Sequence, residues 1–152
     1  MEIRELLTQK ARPVHTIDAD RTIGSAVEKM TAEQTGALIV MENDRPVGIF
    51  AERDVMRAYL KDRTMDFMNR PVRDAMTNRL ISADVTDEIT PAVITMLKAR
   101  IRHLPVFDGI PLVGMLAIED MVDYLLQALN LELRELRELR DYIADLHDAG
   151  HD

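Results

Sequence analysis

The 152-residue chain is predicted to fold as an α+β protein of two tandem units, packed about a pseudo-twofold axis and followed by a long C-terminal helix. Each unit is predicted to run strand, helix, strand, strand, helix. Three observations carry this. The stretches "GIFAERD" (48–54) and "GMLAIED" (114–120) share Gly, two apolar residues, Ala, two variable residues and Asp, 66 positions apart. The likeness extends without a gap at the same offset. Ile23, Ala26, Val27 and Met30 match Ile89, Ala92, Val93 and Met96. Leu38, Val40, Val47 and Gly48 match Leu104, Val106, Val113 and Gly114, and Leu60 matches Leu126. Finally, the apolar pattern switches between helical and extended periodicity in the same order in both copies. Two copies are too few for a solenoid. They are expected to pack face to face and to leave one cleft lined by equivalent residues.

Each unit opens on a short segment, "IRELLT" (3–8) and "VRDAMT" (72–77), related at offset 69. The first copy therefore carries about three extra residues around "KARP". Short helices are expected at 3–8 and 72–76, followed by extended pieces at "PVHTI" and "LISA". "TIGSAVEKMTAEQ" places its apolar residues at i, i+3, i+4 and i+7, the stripe of an amphipathic helix. "EITPAVITMLKAR" repeats that stripe, with Pro91 tolerable in the first turn. Two apolar strands follow in each copy. "ALIVM" and "PVGIFA" are joined by the turn "ENDR". "HLPVF" and "PLVGML" are joined through "DGI", where Gly109 can take a positive φ. A last helix closes each unit. The boundaries are thus 1–68 for the first repeat, 69–128 for the second and 129–152 for a helical extension.

The closing helix reads as continuous from 118 to 147. Leu126, Leu129, Leu133, Leu136, Ile143 and Leu146 form a stripe of roughly 3.5-residue spacing. Arg134 with Glu138 and Arg137 with Asp141 are i, i+4 opposite-charge pairs. A stripe needs a partner: the chain's own N-terminal helix, a second copy, or a target protein. A homodimer comes first, because twofold symmetry is the commonest closed assembly. His147 and His151, with Asp148 and Asp152, read as a solvated tail rather than a metal site.

Composition narrows the function classes. Aromatics are 4% of the chain, with ten Met and no Trp, so the core is expected to be aliphatic with Met filling irregular gaps. The net charge of −8 argues against nucleic-acid and anionic-membrane binding. Cysteine is absent, which excludes disulfides and thiolate metal sites and fits a cytoplasmic setting. The start, "MEIRELLTQK", has no apolar signal region, and no apolar run approaches the roughly 20 residues of a membrane span. No paired acid and base, activated nucleophile, glycine-rich phosphate loop or metal cluster is evident, so catalysis is the weakest of the functional readings.

Two tandem units of about 60 residues, each ending in Gly-apolar-apolar-x-x-x-Asp, resemble a pair of cystathionine-β-synthase (CBS) domains, often called a Bateman module. "RHLPVFDGIPLVGMLAIEDMV" and "GIFAERDVMR" are similar to the family core, and the resemblance covers about residues 1 to 128. It implies a sensor that requires no cofactor and does no catalysis. The implied ligand is an adenine nucleotide (AMP, ADP or ATP), S-adenosylmethionine or NAD. It also implies association into disc-like dimers.

The resemblance implies that Asp54 and Asp120 bind ribose hydroxyls, a role a carboxylate can fill with both oxygens. The alternative is local: an acidic residue in the first turn completes a capping box and suits the helix dipole. The family's Ser or Thr three residues earlier is Ala51 and Ala117 here, and Ala is a poor N-cap. Basic residues before the family's second strand reach phosphates, which implies that role for Arg102 and His103, where the first copy has Gly36 and Ala37. Arg53, opposite Glu119 in the second copy, is a further phosphate candidate. These arginines could instead pair with surface acids. Thr16 and Ser82 hold equivalent places in strands that contact the base in the family, although their hydroxyls could equally cap or face solvent. The competing function is a structural or interaction module with the same fold and degenerate, ligand-free sites.

Overall fold

The computed structural model describes residues 1–10 and 12–149, with side chains to Leu146. Ala11 and the tail residues His151 and Asp152, and the side chains of His147 and Asp148, lie outside the described residues, and with them the reading of that tail. The first unit comprises β1 (Thr16–Asp18), α2 (Ile23–Glu33), β2 (Ala37–Glu42), β3 (Arg45–Ala51) and α3 (Glu52–Asp62), preceded in the chain by α1 (Ile3–Lys10). The second comprises β4 (Ala83–Asp84), α4 (Ile89–Ala99), β5 (His103–Phe107), β6 (Leu112–Ala117) and α5 (Ile118–Ala149). The fold is α+β, with the expected order in both units.

Each unit holds a three-stranded sheet, β1-β2-β3 or β4-β5-β6, parallel in its first pair and antiparallel in its second. The pseudo-symmetry reaches the irregularities. A register shift falls between Val40 and Met41 and again between Val106 and Phe107, 66 positions on. The N–H of Glu52 donates to the Gly36 carbonyl at 3.2 Å, and that of Ile118 to the Arg102 carbonyl at 3.0 Å. The first hairpin turns on Asn43 and Asp44, both with positive φ (51° and 60°), which matches strand twist. The second turns with Gly109 at φ 70°.

The opening segments are exchanged between units. Ile3 and Leu6 of α1 are buried in the second core, with Val85, Ile89, Met96 and Leu104. Val72, which opens the second copy, is buried in the first core, with Ile23, Leu38 and Phe50. Backbone hydrogen bonds fix both: Arg4 N–H to the Val85 carbonyl at 3.0 Å, and Val72 N–H to the Arg21 carbonyl at 2.7 Å. The helix expected at 72–76 is instead a 3-10 turn over Val72–Asp74. The reason lies just beyond it, where Thr77 pairs antiparallel with Ile49 and both backbone hydrogen bonds form (2.9 and 3.1 Å), so the chain must leave the helix at once.

This crossing explains the motif glycines. A Cβ on Gly48 would lie 2.6 Å from the Thr77 carbonyl oxygen, and one on Gly114 would lie 2.9 Å from Leu7 Cδ1. In each unit the glycine lets the other unit's opening segment lie on the strand.

Candidate functional site

Among the described residues Asp54 is the one buried polar or charged residue, 3% exposed. It occupies the first turn of α3 and turns back on the chain. Its Oδ2 accepts the Ala51 N–H at 2.9 Å, the return arm of a capping box, while Ala51 has no side-chain oxygen for the other arm. Its Oδ1 accepts the Thr77 hydroxyl at 3.0 Å, and Arg57 Nη1 stands 3.9 Å away. Thr77 thus brings a hydroxyl from across the unit boundary to a corner whose own Ser/Thr position is alanine. Burial of a carboxylate is tolerated because these donors satisfy it, and each oxygen keeps a second lone pair.

A cleft of about 320 Å³ opens beside Asp54. Ala51, Arg53, Asp54 and Arg57 line it from the β3–α3 corner; Thr77, Arg79 and Ile81 from the crossing segment; Ala99, Ile101, Arg102 and His103 from the α4–β5 connection. Both repeats therefore build it. Four arginines and a histidine face one carboxylate, in a chain of net charge −8. Among the described residues Arg53 and Arg79 have no carboxylate within 4.0 Å, whereas Arg102 pairs with Glu119 at 3.2 Å. A second hollow of about 300 Å³ adjoins it through Ala51, Arg53, Arg102 and His103 and adds Arg100. Burial, reinforced by Arg12 and Arg102, pushes the His103 pKa below its usual value against the opposing pull of Glu119 and Glu52.

The equivalent corner of the second unit is arranged differently. Arg12 crosses onto β6 beside Met115, as Thr77 crosses onto Ile49 in the first unit. Its guanidinium donates to both oxygens of Asp120, Nε to Oδ2 at 2.7 Å and Nη2 to Oδ1 at 3.2 Å. The hydrogen bonds from Arg12 hold the Asp120 carboxyl below the usual carboxylate range. One half-site thus meets a threonine hydroxyl and the other a bidentate guanidinium.

Of the sequence candidates, Asp54, Ala51, Arg53, Arg102 and His103 come together in the cleft. Asp120 and Ala117 lie at the opposing corner, with Ala117 buried and paired with His103 in the sheet. Thr16 sits in β1 opposite Ile39, its carbonyl accepting from Lys29, and does not line the cleft. Ser82 lines a separate groove with Pro91 and Thr95. Sequence reasoning missed Thr77, Arg79, Arg57 and Arg12. Arg57 was legible as the i+3 neighbour of Asp54 on a helix. Arg79 and Arg12 lie in the connections, where the two copies lose a common offset, and the sequence aligns Thr77 with Thr8 rather than with Arg12, its equivalent in the fold.

Among the described residues no cluster could hold a metal ion, and no helix is long and apolar enough to cross a membrane. Comparison with known proteins matches residues 3–61 and 72–127 to the CBS domain. The CBS domain-containing protein CBSX3, mitochondrial, of Arabidopsis thaliana is 33% identical over 122 residues, covering 77% of this chain and 59% of the relative's own length. Among solved structures, the CBS-domain containing protein ATU1752 from Agrobacterium tumefaciens superposes with a TM-score of 0.76 at 30% identity, covering 82% of this chain and 98% of that one. The CBS domain protein PAE2072 from Pyrobaculum aerophilum, solved in complex with AMP, superposes with a TM-score of 0.67 at 27% identity, covering 79% and 89%.

Proposed function

Because the chain belongs to the CBS domain family and carries two copies of the domain, we propose that it is a non-catalytic regulatory module that senses an adenine nucleotide in the cleft at Asp54. The observation that carries the reading is the buried Asp54 carboxylate at the edge of a cleft with four arginines. A carboxylate with spare lone pairs accepts from ribose hydroxyls, and guanidiniums bind phosphate bidentately. Ile49, Ile81, Ala99 and Ile101 supply apolar wall for a base. The cationic excess favours phosphorylated ligands (AMP, ADP, ATP or NAD) over S-adenosylmethionine, whose sulfonium is itself a cation. The AMP complex of the Pyrobaculum relative supports the same class. The Asp120 half-site, held by Arg12, is read as closed, so one nucleotide binds per chain. Ligand bridging the repeats favours one of their relative settings, and α5 carries that setting outward.

A ligand-free interaction module is the competing reading. It draws on the alanines at 51 and 117 and on the Arg12–Asp120 pair. Thermal denaturation with AMP, ADP, ATP, NAD and S-adenosylmethionine separates the two. At a hundredfold excess over Kd, binding adds about 2.7 kcal/mol, a rise of roughly 5–10 °C for a domain this size. The phosphorylated ligands are expected to raise Tm in the wild type and not in Asp54→Ala. No shift with any compound at millimolar concentration sinks the sensor reading.

A further inference from the structure

From residue 131 to residue 146 every described residue of α5 is exposed. The helix packs on α1, α4 and β6 at its start only, and the CBS domain match ends at residue 127. The extension from there to Ala149 projects about 33 Å at 1.5 Å per residue. In proteins most helical stability comes from packing an apolar face rather than from propensity. This extension carries a continuous apolar seam. Leu126, Leu129, Leu133 and Leu136 step by three, four and three, the a and d spacing of a coiled coil, and are 53%, 51%, 43% and 62% exposed. After one extra step of three the seam continues through Leu139, Ile143 and Leu146. Such a step overwinds the supercoil locally without interrupting its apolar surface, and it leaves Arg140 beside the seam rather than in it.

We propose that this seam is covered by the same helix of a second copy, in a parallel two-stranded coiled coil running from about Leu126 to Leu146. The flanking charges select this occupant. In the frame set by Leu126, Leu129, Leu133 and Leu136, Glu132 is a g position and Arg137 the e position of the next heptad. In a parallel pair g faces the partner's following e, so twofold symmetry makes the Glu132–Arg137 contact twice across the Leu133 and Leu136 layers. In an antiparallel pair g faces g, and the g positions of this frame (Leu125 and Glu132) hold no cation. The proposal does not depend on nucleotide binding.

The chain has no cysteine, so an introduced one reports unambiguously. Leu136→Cys places a thiol in the seam, and Arg134→Cys places one on the outer face of the same turn. Both lie in the exposed extension, outside the two cores. Mild oxidation of the full-length protein at micromolar concentration is expected to give a disulfide-linked dimer with Leu136→Cys and at least tenfold less with Arg134→Cys. A Glu132→Arg chain mixed with an Arg137→Glu chain, each carrying Leu136→Cys, is expected to cross-link preferentially as the mixed pair. The proposal is overturned if Leu136→Cys cross-links no better than Arg134→Cys, which includes dimers joined elsewhere with their helices apart. It is also overturned if the wild type sediments as a monomer at the same concentration.

Discussion

Asp54 and Asp120 occupy the same place in a repeated motif and have different neighbours. The difference comes from Thr77 and Arg12, residues that cross from the other unit. Asp54→Ala removes the acceptor for the Ala51 N–H and the Thr77 hydroxyl, so a loss of about 1–2 kcal/mol in stability is expected, read from urea unfolding without ligand. Arg12→Ala frees Asp120. Arg12 is about half exposed, so its pair adds about 1 kcal/mol at most after screening. The folded Asp120 pKa is depressed, so that contribution is present above its unfolded value and lost as pH falls through the folded one. The stability loss in Arg12→Ala is thus expected at pH 7 and should vanish in strong acid. His103 has the same pH direction but a different cause, the burial of its charged form. Its folded pKa lies below its usual value, so protonation disfavours the empty protein as pH falls, whereas a bound phosphate favours the imidazolium. Wild-type affinity is expected to tighten between pH 7.5 and 5.5 more than that of His103→Gln, with the ligand's own titration cancelling in the comparison. At this scale Asp54, Arg53, Arg102 and His103 were legible from the repeat and the resemblance. Thr77 and Arg12 were not, because the 69 offset aligns Thr77 with Thr8, whereas in the fold Thr77 and Arg12 hold equivalent places on Ile49 and Met115.

The elements were largely legible. Periodicity placed α2 and α4, and the turn residues placed both hairpins. Their common order followed from the repeat. What the sequence withheld is which unit each opening segment serves. Similarity between 3–8 and 72–77 says that the two are equivalent, and an exchange preserves equivalence. The exchange has consequences for single residues. Leu6 is fully buried in the second core, so Leu6→Ala is expected to cost about 2–5 kcal/mol despite its position in the first repeat, measurable by urea denaturation. Gly48→Ala would drive a methyl into the Thr77 carbonyl. It is expected to lower stability and also to weaken nucleotide binding, because displacing the crossing strand moves the Thr77 hydroxyl from Asp54. Retained affinity in a destabilised Gly48→Ala protein would separate the crossing from the site.

For the whole molecule, exchange means that neither unit completes its core alone, and the cleft lies where the units meet. On the proposed reading, a ligand held by Arg53 and Asp54 from one repeat and by Arg102 and His103 from the other would act on their relative setting. The helix that leaves this interface is the extension proposed above to pair with a second copy. The central claim is that the Asp54 cleft is a nucleotide site and that its pseudo-symmetric counterpart is closed by Arg12. Calorimetric titration of the full-length protein with ATP tests it most directly. The expected result is one ATP per chain, binding unchanged in Asp120→Ala, and binding lost at least tenfold in Asp54→Ala. Two ATP per chain, or undiminished binding in Asp54→Ala, would contradict the account.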